Sequence, residues 1–202
     1  MDAEEQRMIS EHFERMWQQG LTPWLSHKPE PLLKEFFDIL KRGLAHAKVL
    51  DIGCGNGWIS MIVAKEGHEA WGIDSSQTAI EEAKERAKAV GLSSRTHFQV
   101  GNALDLPYKH SFFDALVDRG LFHHVLPENR PLYLKSILRV LKPGSYFYLS
   151  VFSKRNPEGI GQLFTEQLVE EIFGEGFSTL NFIQDPPTNA PAHLLHFIFK
   201  RR

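Results

Sequence analysis

The chain has 202 residues, of which 42% are hydrophobic and 24% are charged, and its formal net charge is −2. We therefore expect one compact globular domain without the basic surface of a nucleic-acid-binding protein, and the single cysteine excludes an internal disulfide bond. Because no apolar run approaches the ~18 residues of a membrane-spanning helix and the acidic first residues lack a signal peptide's apolar core, we expect a cytoplasmic protein with no membrane partner.

Two helices are predicted before the first strand. Apolar residues at helical spacing indicate an amphipathic helix over residues 4–18, and a second helix begins at Pro31 and ends at Gly43. From Lys48 onward, short apolar segments alternate with helical segments. Strands are predicted at residues 48–52, 69–73, 96–100, 113–117, 145–152, 178–184 and 194–200, and helices at residues 57–66, 77–90, 128–141 and 165–173.

This alternation predicts an α/β fold with a doubly wound, mostly parallel sheet of seven strands and helices on both faces. The last two strands have no helix between them, so we expect one of them to run antiparallel to the others.

A cluster of glycines follows the first strand. The segment VLDIGCGNGWIS places Gly53, Gly55 and Gly57 within five positions. Glycine adopts positive φ and lacks the Cβ that would hold a ligand away from the backbone, and open α/β sheets bind ligands at the carboxyl ends of their strands. This glycine corner therefore predicts a ligand cradle, and a tight turn without a ligand is the alternative.

The spacing of the glycines and the next acidic residue narrow the ligand class. Dinucleotide-binding corners carry a third glycine where this chain has Trp58, which leaves a nicotinamide oxidoreductase only as a remote alternative. Asp74 follows Gly53 by about twenty residues, at the distance where a carboxylate binds ribose hydroxyls in such folds. The sequence thus predicts an adenosine-type ligand that lacks a diphosphate.

Several segments in order resemble those of the class I S-adenosylmethionine-dependent methyltransferases. These segments are VLDIGCGNG, GIDSS, GNALDLPY, FFDALVDRG and LRVLKPGSYFYL, within residues 47–152. The resemblance implies a Rossmann-like single domain, with an amino-terminal helical cover at residues 1–43 and a cofactor-binding core at residues 47–202. It also implies S-adenosyl-L-methionine as the cofactor.

The resemblance implies a role for each matching position. The backbone of the glycine corner faces the methionine part of the cofactor, Asp51 holds its ammonium group, and Asp74 takes both ribose hydroxyls. Asn102 accepts a hydrogen bond from the adenine amine where the family commonly has an aspartate, and the alternative is a turn residue at a strand end. The implied cofactor-binding residues of the core are Asp51, Gly53, Cys54, Gly55, Gly57, Asp74, Ser75, Asn102 and Ala103.

The amino-terminal segment WQQGLTPW resembles that of the thiopurine, halide/thiol and tellurite-resistance methyltransferases, in which it folds over the cofactor. Trp17 and Trp24 are therefore expected to form an aromatic wall that attracts the sulfonium cation. The alternative is that both tryptophans simply pin two helices together.

Candidate catalytic residues lie in VDRGLFHHVLP, after the fourth strand. By resemblance to the thiopurine methyltransferases, Arg119 faces the acceptor, and an ion-paired structural arginine is the alternative. Asp118 is expected to act as a general base or to orient Arg119, and His123 or His124 is a further candidate base. The histidines of the chain lack metal-ligand spacing, so no metal site is expected.

The function predicted from these features is methyl transfer to a small-molecule acceptor such as a thiol, a halide or an aromatic thiol. A soft nucleophile needs alignment more than a base, whereas a hydroxyl or amine acceptor would require Asp118, His123 or His124 as base. A non-catalytic cofactor-binding regulatory protein is the alternative from another class. We expect no nucleic-acid partner and see no sign of a protein partner.

Overall fold

The computed structural model describes residues 2–25, 30–159, 161–185 and 192–202. Each predicted helix and strand is present, and β4 continues two residues beyond its predicted end, so that it includes Asp118 and Arg119. Short 3-10 turns occupy Phe122–His124 and Pro127–Asn129. The helices are α1 Asp2–Gln18, α2 Pro31–Gly43, α3 Trp58–Lys65, α4 Gln77–Ala89, α5 Arg130–Val140 and α6 Glu166–Phe173; the strands are β1 Lys48–Ile52, β2 Glu69–Asp74, β3 Thr96–Val100, β4 Phe113–Arg119, β5 Leu141–Phe152, β6 Phe177–Gln184 and β7 Leu194–Arg201.

The strands form one seven-stranded sheet in the order β3-β2-β1-β4-β5-β7-β6. β1 to β5 run parallel, and β7 pairs antiparallel with both β5 and β6. This confirms the predicted doubly wound, mostly parallel sheet with an antiparallel strand near the carboxyl terminus. Ile52 pairs with Ile73 of β2 and with Asp118 of β4, so these three strands end together at one edge of the sheet, where ligands bind in such folds.

Apolar side chains cover both faces of the sheet. One face packs against α5 and α6, and the other packs against α2 and α3. Leu33 and Phe36 of α2 are fully buried against strand residues such as Val117. The predicted cover of residues 1–43 is therefore divided, because α2 belongs to the core and only α1 with the turn after it lies over the edge of the sheet.

Within the described ranges, no helix is long and apolar enough to cross a membrane.

Candidate active site

The three glycines of the corner have different physical roles. All three adopt positive φ, at +68° for Gly53, +50° for Gly55 and +72° for Gly57. A Cβ at Gly57 would lie 2.7 Å from the Phe98 ring, so this glycine is required for packing rather than for ligand approach. A Cβ at Gly55 would lie 3.0 Å from Trp17 Cζ2. The corner thus presents Gly55, without a side chain, to Trp17 of α1.

The corner is fastened to the end of β2. The backbone amides of Gly53 and Cys54 donate to the Ile73 carbonyl oxygen at 2.8 and 3.1 Å. Cys54 is buried, and burial raises the pKa of its thiol well above the usual value. The Cys54 side chain is therefore a neutral packing group.

Asp74 connects the corner to the next helix. Its Oδ2 accepts a hydrogen bond from the Gly55 amide and its Oδ1 accepts one from the Ser76 amide, both at 2.9 Å. Burial raises the pKa of Asp74, and the amides of Ser76 and Gly55 partly oppose this rise. The Ser75 amide also donates to this carboxylate. The structure therefore brings Asp74 and the exposed Ser75 together with the glycine corner.

Asp51 is 2% exposed and holds the start of α3. Its Oδ2 accepts hydrogen bonds from the Ser60 amide at 3.1 Å and from the Ser60 hydroxyl at 2.7 Å. Burial raises the pKa of Asp51 to about 7, against a usual value of 3.8. The predicted contact with an ammonium group would thus have to be made through Oδ1, which these two bonds leave free of Ser60.

Asn102 and Ala103 lie in the turn after β3. Asn102 Oδ1 accepts a hydrogen bond from the Leu104 amide at 2.9 Å, which is the turn role that was the alternative for this residue. An amide oxygen has a second lone pair, so the contact with an adenine amine stays a prediction. Ala103 is buried in the apolar core.

Two polar side chains of α1 bind opposite parts of the sheet edge. Glu14 accepts hydrogen bonds from the hydroxyl groups of Ser76 and Thr78 at the start of α4, at 2.5 and 2.7 Å. Gln6 accepts from the Leu126 amide at 3.0 Å and donates to the His124 carbonyl oxygen at 3.1 Å. Burial favours the neutral form of Glu14, but these hydrogen bonds outweigh it and lower its pKa. Helix α1 thus bridges the end of β2 and the loop after β4.

An aromatic row lies along this bridge, beginning with the 7%-exposed Trp17 over Gly55. Trp24 is 38% exposed. The distances between successive ring centroids are 6.2, 5.3, 4.7, 4.4 and 3.7 Å. The aromatic row consists, in spatial order, of Trp17, Trp24, Phe13, His124, His123 and Phe152. The predicted aromatic wall is therefore longer than the two tryptophans and reaches the end of β5.

Asp118 does not occupy the predicted catalytic position. It has no exposed surface, and its carboxylate accepts hydrogen bonds from the Leu121 amide at 2.8 Å, the Phe122 amide at 3.2 Å and the Tyr133 hydroxyl at 2.7 Å. Burial raises its pKa to about 6. A buried carboxylate with three donors holds the loop after β4, which favours a structural role for Asp118, and the role of general base stays a prediction. Asp118 is not the observed partner of Arg119, because Glu30 binds that guanidinium.

Arg119 pairs with Glu30, which precedes α2. Arg119 Nε lies 2.9 and 3.1 Å from the two carboxylate oxygens, and the side chains are 18% and 14% exposed. The guanidinium carbon lies 5.8 Å from the centre of the Trp58 ring. The ion-paired alternative is therefore the observed arrangement, with a partner 89 residues away in the chain that the sequence pattern did not indicate.

The histidine pair, His123 and His124, lies in the 3-10 turn Phe122–His124 of the loop after β4. His123 is 3% exposed, and its Nδ1 has no hydrogen-bond partner in the described part of the chain. Burial lowers the pKa of His123 well below 6.5, and burial followed by the charge of His12 lowers that of His124 to about 4. Both imidazoles are neutral near pH 7 and weak as bases. Among the described residues, no group of three or more potential ligands could hold a metal ion.

The chain was compared with known protein families and curated proteins. A family profile described as a methyltransferase domain matches residues 44–183. A 2-heptyl-1-hydroxyquinolin-4(1H)-one methyltransferase of Mycobacteroides abscessus is 35% identical over 132 residues, which cover 65% of this chain and 56% of the relative. A probable thiol methyltransferase 2 of Arabidopsis thaliana is 27% identical over 158 residues, covering 72% of this chain and 65% of the relative. The matches thus span about half to two-thirds of these relatives.

A similar solved structure covers the whole chain. It is a 1,6-didemethyltoxoflavin-N1-methyltransferase from Burkholderia thailandensis, with bound 1,6-didemethyltoxoflavin and S-adenosylhomocysteine. The two proteins are 24% identical with a TM-score of 0.82, and the match covers 100% of this chain and 90% of the other. At this identity the likeness shows a shared fold.

Proposed function

The chain belongs to the methyltransferase domain family, and from this premise we propose that it transfers a methyl group from S-adenosyl-L-methionine to a small-molecule acceptor. The observation that carries the proposal is the 2.9 Å hydrogen bond between the Asp74 carboxylate and the Gly55 amide. This bond joins a carboxylate that can accept hydrogen bonds from ribose hydroxyls to the glycine corner, at the edge where β1 and β2 end.

The residues at this edge fit the proposed cofactor. Gly55 adopts a φ of +50° and carries no Cβ, and the Trp17 ring lies directly against it. A shift of this ring would therefore open the Gly55 backbone to a ligand. The Asp74 carboxylate is an acceptor of the kind that binds vicinal ribose hydroxyls. We assign the adenosine part to Asp74 and Ser75, and the methionine part to the corner from Gly53 to Gly55.

The contribution of the chain is to align the acceptor and exclude water. When bound, S-adenosyl-L-methionine would supply a methyl group: the acceptor atom forms a bond to the methyl carbon, and the bond from that carbon to the sulfonium sulfur breaks with its electron pair left on sulfur. The Trp17 ring covers the corner, and an aromatic face attracts a sulfonium cation by ~0.5–2 kcal/mol. Alignment of the reacting groups contributes ~7–11 kcal/mol to such a step.

The acceptor is proposed to be a nucleophile that needs no strong base. Asp118 is enclosed by three hydrogen-bond donors, and His123 and His124 bind protons weakly because both are buried. A thiolate, a halide or an aromatic thiol is already anionic near pH 7 or becomes so readily. These acceptors therefore suit the edge better than an alcohol or an amine that must lose its proton to a side chain.

The names of the relatives support a small-molecule acceptor without naming it. One curated relative is named for a quinolinone and another for thiols. Arg119 lies at the carboxyl end of β4 with Glu30 on its guanidinium. An anionic acceptor would bind Arg119 only by competing with this carboxylate, so Arg119 is a weaker candidate for acceptor binding than the aromatic row.

Turnover with a panel of acceptors tests the proposal. The purified chain is incubated with S-adenosyl-L-methionine and, separately, iodide, thiophenol, cyclohexanethiol and phenol, and both S-adenosylhomocysteine and the methylated product are measured by mass spectrometry. We expect equimolar formation of the two products with at least one sulfur or halide acceptor. Binding of S-adenosylhomocysteine without any turnover would instead favour the non-catalytic alternative, and preferred methylation of phenol would favour an acceptor that uses a base.

A further inference from the structure

The aromatic row contains a polar atom that packing alone does not explain. His123 is 3% exposed, stacks on Phe152 with a ring distance of 3.7 Å, and leaves Nδ1 without a hydrogen-bond partner in the described residues. A buried polar atom without a partner is costly, and a phenylalanine could stack on Phe152 without that cost. The position of this nitrogen therefore points to a ligand that completes its hydrogen bonding.

Two glycines border the histidine pair. A Cβ at Gly120 would make an ordinary contact with His123 Cε1 at 3.4 Å, whereas a Cβ at Gly161 would lie 3.1 Å from the His123 carbonyl oxygen and 3.3 Å from His124 Cε1. Glycine at 161 therefore allows the backbone to approach both histidines closely.

The row is also close to the glycine corner. At one end Trp17 lies over Gly55, and Leu121, two residues before His123, lies 2.8 Å from the position of a Cβ on Gly53. A molecule held against His123 and Phe13 is therefore adjacent to the part of the corner assigned to the methionine end of the cofactor. This is where an acceptor of methyl transfer must lie.

We propose that the acceptor is a planar heteroaromatic molecule that binds against the histidine pair of the aromatic row, next to Phe13, and forms a hydrogen bond with His123 Nδ1. The inference rests on the proposed methyl transfer and specifies its acceptor class. In the ligand-free chain, Phe13 packs edge-on against His124 at 4.7 Å, and separation of α1 from the loop after β4 would admit one ring, about 3.5 Å thick.

Three thiols, which all react through sulfur, distinguish the effect of a planar ring from the effect of a ring nitrogen. 2-Mercaptopyridine is planar and has a ring nitrogen, thiophenol is planar without one, and cyclohexanethiol is not planar. Intrinsic reactivity differs among these thiols, so the informative quantity is the factor by which each variant changes kcat/KM for each thiol.

The variants are His123→Phe, which keeps the stacked ring, His123→Asn, which keeps a polar atom near the position of Nδ1, and Phe13→Leu. His123→Phe should lower kcat/KM for 2-mercaptopyridine about tenfold more than for thiophenol, and His123→Asn should recover part of this loss. Phe13→Leu should lower kcat/KM for both planar thiols about threefold to tenfold relative to cyclohexanethiol. The control is His68→Asn, because His68 is also buried with one unpartnered ring nitrogen but lies just before β2, at the opposite edge of the sheet.

Calorimetry provides a readout that does not depend on turnover. The dissociation constant of 2-mercaptopyridine, titrated into the chain saturated with S-adenosylhomocysteine, should rise about tenfold in His123→Phe, while that of S-adenosylhomocysteine stays level. Equal losses for all three thiols, or no binding of 2-mercaptopyridine to the wild-type chain, would overturn the inference. If 2-mercaptopyridine binds in a His123-dependent way but no thiol is methylated, the acceptor site stands and the proposed methyl transfer fails.

Discussion

Asp74 is the residue on which cofactor binding should depend most strongly. Its carboxylate already binds the Gly55 amide, and in the proposed complex its remaining lone pairs accept from two ribose hydroxyls. We expect Asp74→Ala to weaken binding of S-adenosylhomocysteine by ~1.5–3 kcal/mol, the scale of charge-assisted hydrogen bonds.

The matched control for Asp74 is Asp105→Ala, because Asp105 is exposed in the turn after β3. Calorimetry on both variants, below the melting temperature of each, separates lost contacts from lost folding. Unchanged affinity in a folded Asp74→Ala variant would remove the ribose from this position.

Asp51 should make folding sensitive to pH. Burial raises its pKa in the folded chain from 3.8 to about 7, so the native state binds a proton that the unfolded state has released between these values. The stability contributed by this proton is fully present below pH 3.8 and is lost as the pH rises to about 7. The free energy of unfolding should therefore fall over this range.

The comparison for Asp51 is Asp51→Asn, whose amide oxygen can still accept from Ser60 but does not titrate. As the pH rises across this range, urea unfolding should show the free energy of unfolding of the wild type falling relative to that of Asp51→Asn. Parallel curves would mean that Asp51 has an ordinary pKa and is not enclosed as the structure describes.

At the scale of secondary structure, α1 couples two regions that lie far apart in the chain. Glu14 binds Ser76 and Thr78, 62 and 64 residues away, and Gln6 binds Leu126, 120 residues away. Because Trp17 follows Glu14 by three residues in the same helix and lies against Gly55, release of the Glu14 contact should uncover the glycine corner. Local patterns indicated an amphipathic helix but could not indicate these partners, since an exposed Glu or Gln on a helix usually faces solvent.

Weakening the Glu14 contact should loosen α1 without unfolding the core. Glu14→Gln keeps the shape but loses the charge that strengthens its hydrogen bonds to Ser76 and Thr78, so we expect faster proteolysis within residues 2–25 and about threefold to tenfold weaker binding of S-adenosylhomocysteine. Trp17 fluorescence reports the exposure of the corner. Glu11→Gln on the same helix is the control, since the ion pair of Glu11 with Arg7 is exposed. Equal effects in both variants would argue against a specific role of Glu14.

At the scale of the whole molecule, the alternation of strands and helices was sufficient to predict the fold, and the sheet order confirms it. The family profile confirms the predicted methyltransferase family. The glycine corner and Asp74 could be found because both follow directly from strand ends. Glu30, Phe13 and Phe152 could not, because their contacts join segments that are distant in sequence. The structural contacts of Asp118 could not be predicted either, because the sequence does not show that Tyr133 and two loop amides enclose its carboxylate.

A crystal structure of the chain with S-adenosylhomocysteine tests the central claim most directly. The account predicts both ribose hydroxyls about 2.7–3.2 Å from the Asp74 carboxylate, the homocysteine part along the backbone from Gly53 to Gly55, and the Trp17 ring shifted to lie over it. The ligand bound elsewhere, or bound with its ribose away from Asp74, would contradict the account.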